Sequence, residues 1–182
     1  MVGKVGAVPI TGFELKHKMA RLMAVVPVGK VSTSASAAAQ IALWKAAGER
    51  IVFTNGCFDV IHAGHVMILE KSRLAGDRLI VGLNDDASVS RLKGPSRPIN
   101  SIEDRGAVLA ALTCVDLVIP FADDTPLRLI CEVRPDILIK GSDYSEDNVV
   151  GAKEVKKWGG KVVLIDLLAG RSTSAILGKG RE

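Results

Sequence analysis

Two histidines, His62 and His65, stand three residues apart, shortly after an apolar run at residues 51–53. At this spacing near the start of a helix, both side chains lie on one face of that helix. Imidazoles at a helix N-terminus could bind a phosphate, and Gly64 between them leaves room for a ligand to approach. A metal site would need a third ligand, and none is obvious nearby. The pair therefore indicates phosphate binding, with two structural histidines as the alternative.

Other residues suited to binding phosphates, sugars or bases follow the later apolar runs. The groups are Asn55, Gly56, Cys57, Phe58 and Asp59 after the first run, Asn84 after the second, Lys140, Gly141, Asp143 and Tyr144 after the fourth, and Arg171, Ser172, Thr173 and Ser174 after the fifth. Lys93 begins a Gly- and Pro-rich loop, residues 93–98, which could close over bound phosphates. Four groups at equivalent ends of one sheet indicate a single binding site rather than ordinary loop polarity.

Five apolar runs alternate with helical patterns along the chain. Strands are predicted at residues 51–53, 78–83, 115–120, 136–140 and 161–166, and helices at 34–47, 64–74, 101–113 and 148–158, with shorter helices ending at 92 and beginning at 125, and a last one after Gly170. This alternation predicts an α/β fold, namely a Rossmann-like, doubly wound, five-stranded parallel sheet with helices on both faces. In such sheets the ligand binds at the carboxyl ends of the strands.

Composition and absent motifs exclude several classes of function. Residues 1–50 carry seven Lys and Arg against two Asp and Glu, and the rest of the chain carries 17 against 18, so nucleic acid is not an expected partner. No uncharged apolar run approaches the roughly 18 residues that span a membrane. Three cysteines without a Cys-x-x-Cys motif favour a reducing compartment, so a cytoplasmic location is expected. Neither a dinucleotide-binding Gly-x-Gly-x-x-Gly motif after the first strand nor a P-loop is present.

Several of these segments together carry a family resemblance. The string TNGCFD at residues 54–59, followed by HAGH at 62–65, resembles the first motif of the nucleotidyltransferase superfamily that includes the cytidylyltransferases. With RLKGP at 91–95, KGSDY at 140–144 and GRSTS at 170–174, the chain is similar to the sugar-phosphate adenylyltransferases that make ADP-heptose.

This resemblance implies a specific reaction, the transfer of AMP from ATP to D-glycero-β-D-manno-heptose 1-phosphate, which yields ADP-heptose and pyrophosphate for the inner core of lipopolysaccharide. Mg²⁺ is expected with ATP, bound mainly by phosphates and water, and no metal ligand is assigned to the protein. Two alternatives stay open. One is a glycerol-phosphate or ethanolamine-phosphate cytidylyltransferase, and the other is a non-catalytic nucleotide-binding module.

The resemblance also implies roles for individual residues. The catalytic residues would be His62, His65, Lys93 and Arg105; the nucleotide-binding residues Asn55, Gly56, Cys57, Phe58, Gly64, Lys140, Gly141, Asp143, Tyr144, Ser172, Thr173 and Ser174; and the substrate-binding residues Asp59, Asn84 and Arg171. Two of these roles have alternatives. Arg105 could be an exposed ion-pair partner of a neighbouring carboxylate, and Asp59 could face Mg²⁺ or be a plain turn residue.

Two parts of the chain are expected. Residues 31–182 would form the nucleotidyltransferase domain, and residues 1–30 a basic, poorly packed leader or the remnant of a preceding kinase domain. The second alternative arises because residues 2–15 are similar to the closing strand of a ribokinase-type sugar kinase. The full-length protein would then be a fusion to a sugar kinase. ATP and a sugar 1-phosphate are the expected partners, and a homodimer stays open.

Overall fold

The structure, a computed structural model, describes residues 29–166 and contains a five-stranded parallel sheet. Its elements are α1 (Ser34–Ala46), β1 (Ile51–Gly56), α2 (Ala63–Ala75), β2 (Arg78–Asn84), α3 (Asp86–Lys93), α4 (Ile102–Ala111), β3 (Leu117–Phe121), α5 (Leu127–Val133), β4 (Ile137–Gly141), a 3₁₀ turn (Glu146–Asn148), α6 (Ala152–Lys157) and β5 (Lys161–Ile165). The predicted fold is confirmed. The predicted last helix, with Arg171 to Ser174, lies outside the described residues, as do residues 1–28.

Helices cover both faces of the sheet. Successive side chains of a strand point to opposite faces, so Phe53 and Val52 of β1 enter different cores. The Phe53 core includes Ile41 of α1 and Leu129 of α5, whereas the Val52 core includes Leu69 of α2. Burial on both faces explains why the strands read as continuous apolar runs. None of the helices within residues 29–166 is long and apolar enough to span a membrane.

The direction of winding changes beside the first strand. The strand order is β3-β2-β1-β4-β5, and β1 pairs in parallel with β2 on one side and with β4 on the other. The chain therefore moves outward from β1 in both directions and leaves a crevice at the carboxyl ends of β1 and β4. The residues predicted to bind ligands follow these two strands.

Two predicted boundaries differ from the structure. The single helix expected at 148–158 is divided into the 3₁₀ turn and α6, because Gly151 has a φ of +88°, which a helix cannot contain. A Cβ atom at Gly151 would lie 2.8 Å from Cδ1 of Ile130. Lys93, expected in a loop, is the last residue of α3, and Gly94 with a φ of +99° follows it.

Candidate active site

The two histidines form a reciprocal cap at the start of α2. His62 is the N-cap residue, and its Nδ1 accepts a hydrogen bond from the Gly64 amide at 3.1 Å. The His62 amide in turn donates to Nδ1 of His65 at 3.4 Å. Because each Nδ1 is an acceptor, each neutral ring carries its proton on Nε2. The three-residue spacing thus sets the tautomer of both rings and leaves each Nε2–H as a donor.

The same cap changes how this helix end could bind phosphate. The amides of Gly64, His65 and Val66 all donate to atoms of His62, the last two to its carbonyl oxygen at 2.9 and 3.2 Å. These three amides are therefore occupied within the protein and are not free to bind a phosphate. Any phosphate contact at the start of α2 must come mainly from the imidazole rings.

His65 is the histidine that faces the cleft. Its ring stacks on that of His62 with centroids 4.0 Å apart and lies 5.4 Å from the Phe58 ring. Burial, together with a smaller effect of the neighbouring His62, lowers the pKa of His65 to about 4. At neutral pH His65 is therefore an uncharged hydrogen-bond donor. It can stabilise an anion without being protonated first.

A cleft of about 530 Å³ lies at the carboxyl ends of the strands. Its lining comprises Thr54, Asn55, Gly56, Cys57, Phe58, Asp59, His65, Ile68, Asn84, Leu92, Lys93, Arg97, Asp124, Thr125, Pro126, Lys140, Gly141, Asp143, Tyr144 and Val150. Most of the predicted site residues that the structure describes are among them. His62, Gly64 and Arg105 are the described exceptions: His62 stacks behind His65, and the other two are buried.

Arg105 is buried rather than exposed, with 2% of its surface accessible. Its guanidinium donates to the carbonyl oxygens of Cys57 at 2.6 Å, Asn84 at 2.8 Å and Asn100 at 3.1 Å. It also pairs with Asp86 at 2.6 Å. The alternative of an exposed partner for Glu103 or Asp104 is therefore wrong. The structure also gives no support to direct contact with substrate, because this side chain joins three segments beneath the cleft.

Asp59 anchors the loop between α3 and α4. One carboxylate oxygen accepts from the amides of Ile99 and Asn100 at 2.7 and 3.0 Å, and the other pairs with Arg97. Burial acts to raise the pKa of Asp59, but these amides and the guanidinium hold it below its usual value. Both oxygens are occupied, so the expectation that Asp59 faces Mg²⁺ or the sugar phosphate is not supported. The alternative of a plain turn residue does not hold either, because Asp59 binds residues of a distant loop.

Arg97 lines the cleft and was missed by sequence reasoning. Its side chain is 16% exposed, and it reaches Asp59 across 38 residues of chain. The neighbouring cation Lys93 is exposed at the end of α3, and its side chain makes no hydrogen bond or ion pair with any residue in the range 29–166. Arg91, by contrast, is bound to Asp124 and to the Ala122 carbonyl. Lys93 is thus available to a ligand.

Lys140 lies between the ends of β1 and β4. Its Nζ donates to the side-chain oxygen of Asn55 and, at 3.4 Å, to the Asn55 carbonyl. Burial lowers the pKa of Lys140 to about 8, against the opposing effects of Asp143 and Cys57. Burial also raises the pKa of the Cys57 thiol, so Cys57 is protonated at neutral pH and poorly suited to act as a nucleophile.

Asn84 ends β2 at the edge of the cleft. Its side-chain amide donates to Ser88 Oγ at 3.2 Å, and its carbonyl accepts from Arg105. Within residues 29–166, no three His, Cys, Asp or Glu side chains are grouped as a metal site. Donors and cations thus predominate in the cleft, and of its three acidic residues Asp59 and Asp124 are paired with arginines, while Asp143 is exposed.

Residues 53–175 match the family model described as Cytidylyltransferase-like. The chain belongs to this family. The match begins inside β1 and takes in every segment that lines the cleft, together with residues 167–175 beyond the described part of the chain.

Curated relatives in the cytidylyltransferase-like family share a high identity with this chain. "Bifunctional protein HldE" of Methylobacillus flagellatus is 56% identical over 179 residues, which is 98% of this chain and 37% of that protein. The protein of the same name from Magnetococcus marinus is 54% identical over 97% of this chain and 36% of its own length. The chain thus spans little more than a third of these relatives.

Solved structures agree with the fold. The lipopolysaccharide core biosynthesis protein from Thermoplasma volcanium has a TM-score of 0.55 and 29% identity, over 66% of this chain and 98% of its own. Pantoate-beta-alanine ligase from Francisella tularensis has a TM-score of 0.52 at 14% identity, over 79% of this chain and 68% of its own. The second likeness concerns the fold alone.

Proposed function

We propose that this chain transfers AMP from ATP to D-glycero-β-D-manno-heptose 1-phosphate, giving ADP-heptose and pyrophosphate for the inner core of lipopolysaccharide. The observation that carries the proposal is 56% identity to a Bifunctional protein HldE over 98% of the chain. Support comes from the lipopolysaccharide core biosynthesis protein that shares its fold at 29% identity.

The chemistry fits the residues of the cleft. The attacking group is a phosphate monoester, whose second pKa of about 6 leaves it largely ionised at neutral pH. No general base is required, which agrees with a cleft whose histidine has a pKa of about 4. The barrier lies in bringing two polyanions together and in stabilising charge on the transferred phosphoryl group. Catalysis is therefore a matter of positioning and electrostatics.

Each part of the cleft has a role in this proposal. His65 donates from Nε2 to the triphosphate, and His62 holds the His65 ring in place. Lys93 approaches the phosphates from the end of α3. Asp143 and Tyr144 frame the nucleoside at the end of β4, together with Lys140 and Gly141. Residues 171–174 would complete the phosphate site from outside the described part of the chain.

Asp59 and Arg105 take positioning roles in the same proposal. Asp59 fixes the loop that carries Arg97, and Arg105 fixes the carbonyls of Cys57 and Asn84 at the ends of β1 and β2. An unpaired Asp59 carboxylate would repel the triphosphate. Its pairing with Arg97 and with two backbone amides reduces that repulsion.

Mg²⁺ would enter as part of the ATP complex. The described residues offer no cage of three acidic or imidazole ligands, so phosphates and water would supply most of the coordination. When bound, the ion neutralises charge on the triphosphate. Asp143, exposed at the cleft with no ion pair within residues 29–166, is the residue best placed to reach its hydration shell.

The larger protein is also a proposal. Because the chain spans about 37% of a relative named as bifunctional, we infer a fusion to a sugar kinase domain, with this chain as the transferase part. A cytoplasmic location and a homodimer remain predictions.

A pyrophosphate-release assay tests the function. The chain is mixed with Mg²⁺ and either ATP or CTP, and offered β- or α-anomeric heptose 1-phosphate, glycerol 3-phosphate or ethanolamine phosphate. We expect pyrophosphate and ADP-heptose only from ATP with the β-anomer. Preference for CTP with glycerol 3-phosphate would establish the cytidylyltransferase alternative. Nucleotide binding without turnover of any acceptor would establish a non-catalytic module.

A further inference from the structure

Lys140 is a half-buried cation that has no carboxylate within ion-pair distance among residues 29–166. Its contacts are the two oxygens of Asn55 and the ring of Tyr144, whose centroid lies 5.7 Å from Nζ. A buried charge is costly unless an opposite charge compensates it. All direct contacts of this ammonium are with neutral groups. Such an arrangement is expected where a bound ligand supplies the opposite charge.

We propose that the Lys140 ammonium binds the α-phosphate of the nucleotide and stabilises the charge that develops there during transfer. This inference rests on the proposed function and assigns a catalytic role to one residue of that site. An ammonium has three N–H donors. Asn55 accepts from the ammonium through two oxygens, which leaves one N–H for a ligand in the cleft.

The order of groups along the cleft selects the α-phosphate. Tyr144 contacts Lys140 and belongs to the segment after β4 that is proposed to frame the nucleoside. The first phosphate after the ribose is the α-phosphate. A nucleoside framed by Tyr144 therefore brings its α-phosphate to the cation that Tyr144 contacts. His65 lines the same cleft from the start of α2 and is left for the β- and γ-phosphates.

The step balances without a proton transfer to or from Lys140. An oxygen of the acceptor phosphate forms a bond to the α-phosphorus, and the bond from that phosphorus to the bridging oxygen breaks. The electron pair leaves with pyrophosphate. Negative charge grows on the non-bridging oxygens of the α-phosphate, where a fixed cation in a cleft that excludes much of the water is most effective.

Loss of the charge on Lys140 should cause the fall in kcat/KM at alkaline pH. Burial lowers its pKa to about 8, while Asp143 and Cys57 raise it. Tyr144 on the same segment and Cys57 from the loop after β1 are the other titratable groups that face it. In the free enzyme the ammonium is lost above pH 8. Because kcat/KM reports the free enzyme, it should fall through that pH.

The test compares Lys140→Met and Lys140→Arg with a control, Lys153→Met, at an exposed position of α6. Lys140→Met should lower kcat by about 10²- to 10³-fold. The melting temperature of the ligand-free variant should be unchanged or higher, since an uncompensated charge has been removed. Lys140→Arg should remove the fall in kcat/KM near pH 8, because a guanidinium stays charged. Lys153→Met should behave as wild type.

Three results would overturn the inference. They are turnover of Lys140→Met within a few-fold of wild type, an unchanged alkaline fall in Lys140→Arg, and a loss of Lys140→Met activity that merely follows a lower melting temperature. If the wild-type chain turns over no acceptor, the proposed function fails separately. The affinity for ATP with Mg²⁺ then tests the contact between Lys140 and the nucleotide. An affinity about tenfold weaker in Lys140→Met than in wild type supports the contact, and equal affinities overturn it.

Discussion

Substitution of His65 separates the stability of the α2 cap from catalysis. In the structure Nδ1 of His65 accepts the His62 amide, and its Nε2–H is the donor left for a ligand. His65→Ala removes both. His65→Glu restores a cap acceptor, because Glu three residues after the N-cap is the usual partner in a capping box. It places a negative charge in the cleft instead of a donor.

The magnitudes follow from these two functions. Loss of the cap bond in His65→Ala should cost about 1 kcal/mol, which is a fall in melting temperature of about 2–4 °C for a chain of this size. Loss of one donor to the transferring phosphates should lower kcat by about 10²- to 10³-fold. His65→Glu should melt at or above the wild-type temperature. Its turnover should be at least tenfold below that of His65→Ala, because a carboxylate repels the triphosphate.

Melting curves rank the three proteins by stability, and steady-state pyrophosphate release ranks them by turnover. Stability should rank Glu and His above Ala, whereas turnover should rank His far above Ala and Ala above Glu. If activity instead followed stability across the three proteins, His65 would be only a cap, and the phosphate role would be refuted. Turnover of His65→Ala within threefold of wild type would refute it as well.

The low pKa of His65 predicts a pH dependence of stability. The pKa in the folded protein is about 4, below the unfolded value of about 6.5, so folding favours the neutral ring. The stability that this neutral ring contributes is present above pH 6.5 and is lost as the pH falls towards 4. The gap in melting temperature between wild type and His65→Ala should therefore narrow over this range. A gap that widened would contradict the assignment of a neutral ring.

Three further substitutions distinguish binding from positioning. Lys93→Ala should lower kcat at least tenfold with no change in melting temperature, since the side chain is exposed; a parallel loss of stability would contradict its role at the phosphates. Arg105→Met should destabilise the fold by roughly 3–5 kcal/mol, measured by urea unfolding, because it leaves Asp86 and three carbonyls without their donor. Asp59→Asn weakens the pairing with Arg97 and should lower kcat/KM, and an unchanged kcat/KM would contradict the positioning role of Asp59.

The sheet could be predicted because the sequence patterns that specify its strands are local. Each buried strand is a short apolar run, and the alternation with helical patterns specifies parallel pairing. The start and end of α2 also followed from local signals, since His62 and Gly76 are its cap residues. The division at Gly151 was missed because a single glycine within a helical pattern is ordinarily tolerated. Its contact with Ile130 depends on tertiary packing.

The positioning residues could not be read from local pattern. Asp59 and Arg97 are 38 residues apart, and Arg105 and Cys57 are 48 apart, so only the folded chain brings each pair together. The sequence places Arg105 near Glu103 and Asp104, which left an exposed ion pair as the alternative to the catalytic role. In the structure its partners are mainly backbone carbonyls, which carry no side-chain signature in a sequence.

The cleft therefore combines two kinds of polar group. Asp59 and Arg105 use their polar atoms within the protein and hold the loops around β1 in place. His65, Lys93 and Lys140 each retain N–H donors that no side chain or carbonyl within residues 29–166 occupies. A surface that pairs Asp59 and Asp124 with arginines and leaves these donors open is suited to a ligand with several negative charges. A triphosphate and a sugar phosphate, brought together at the ends of β1 and β4, supply such charge from both sides.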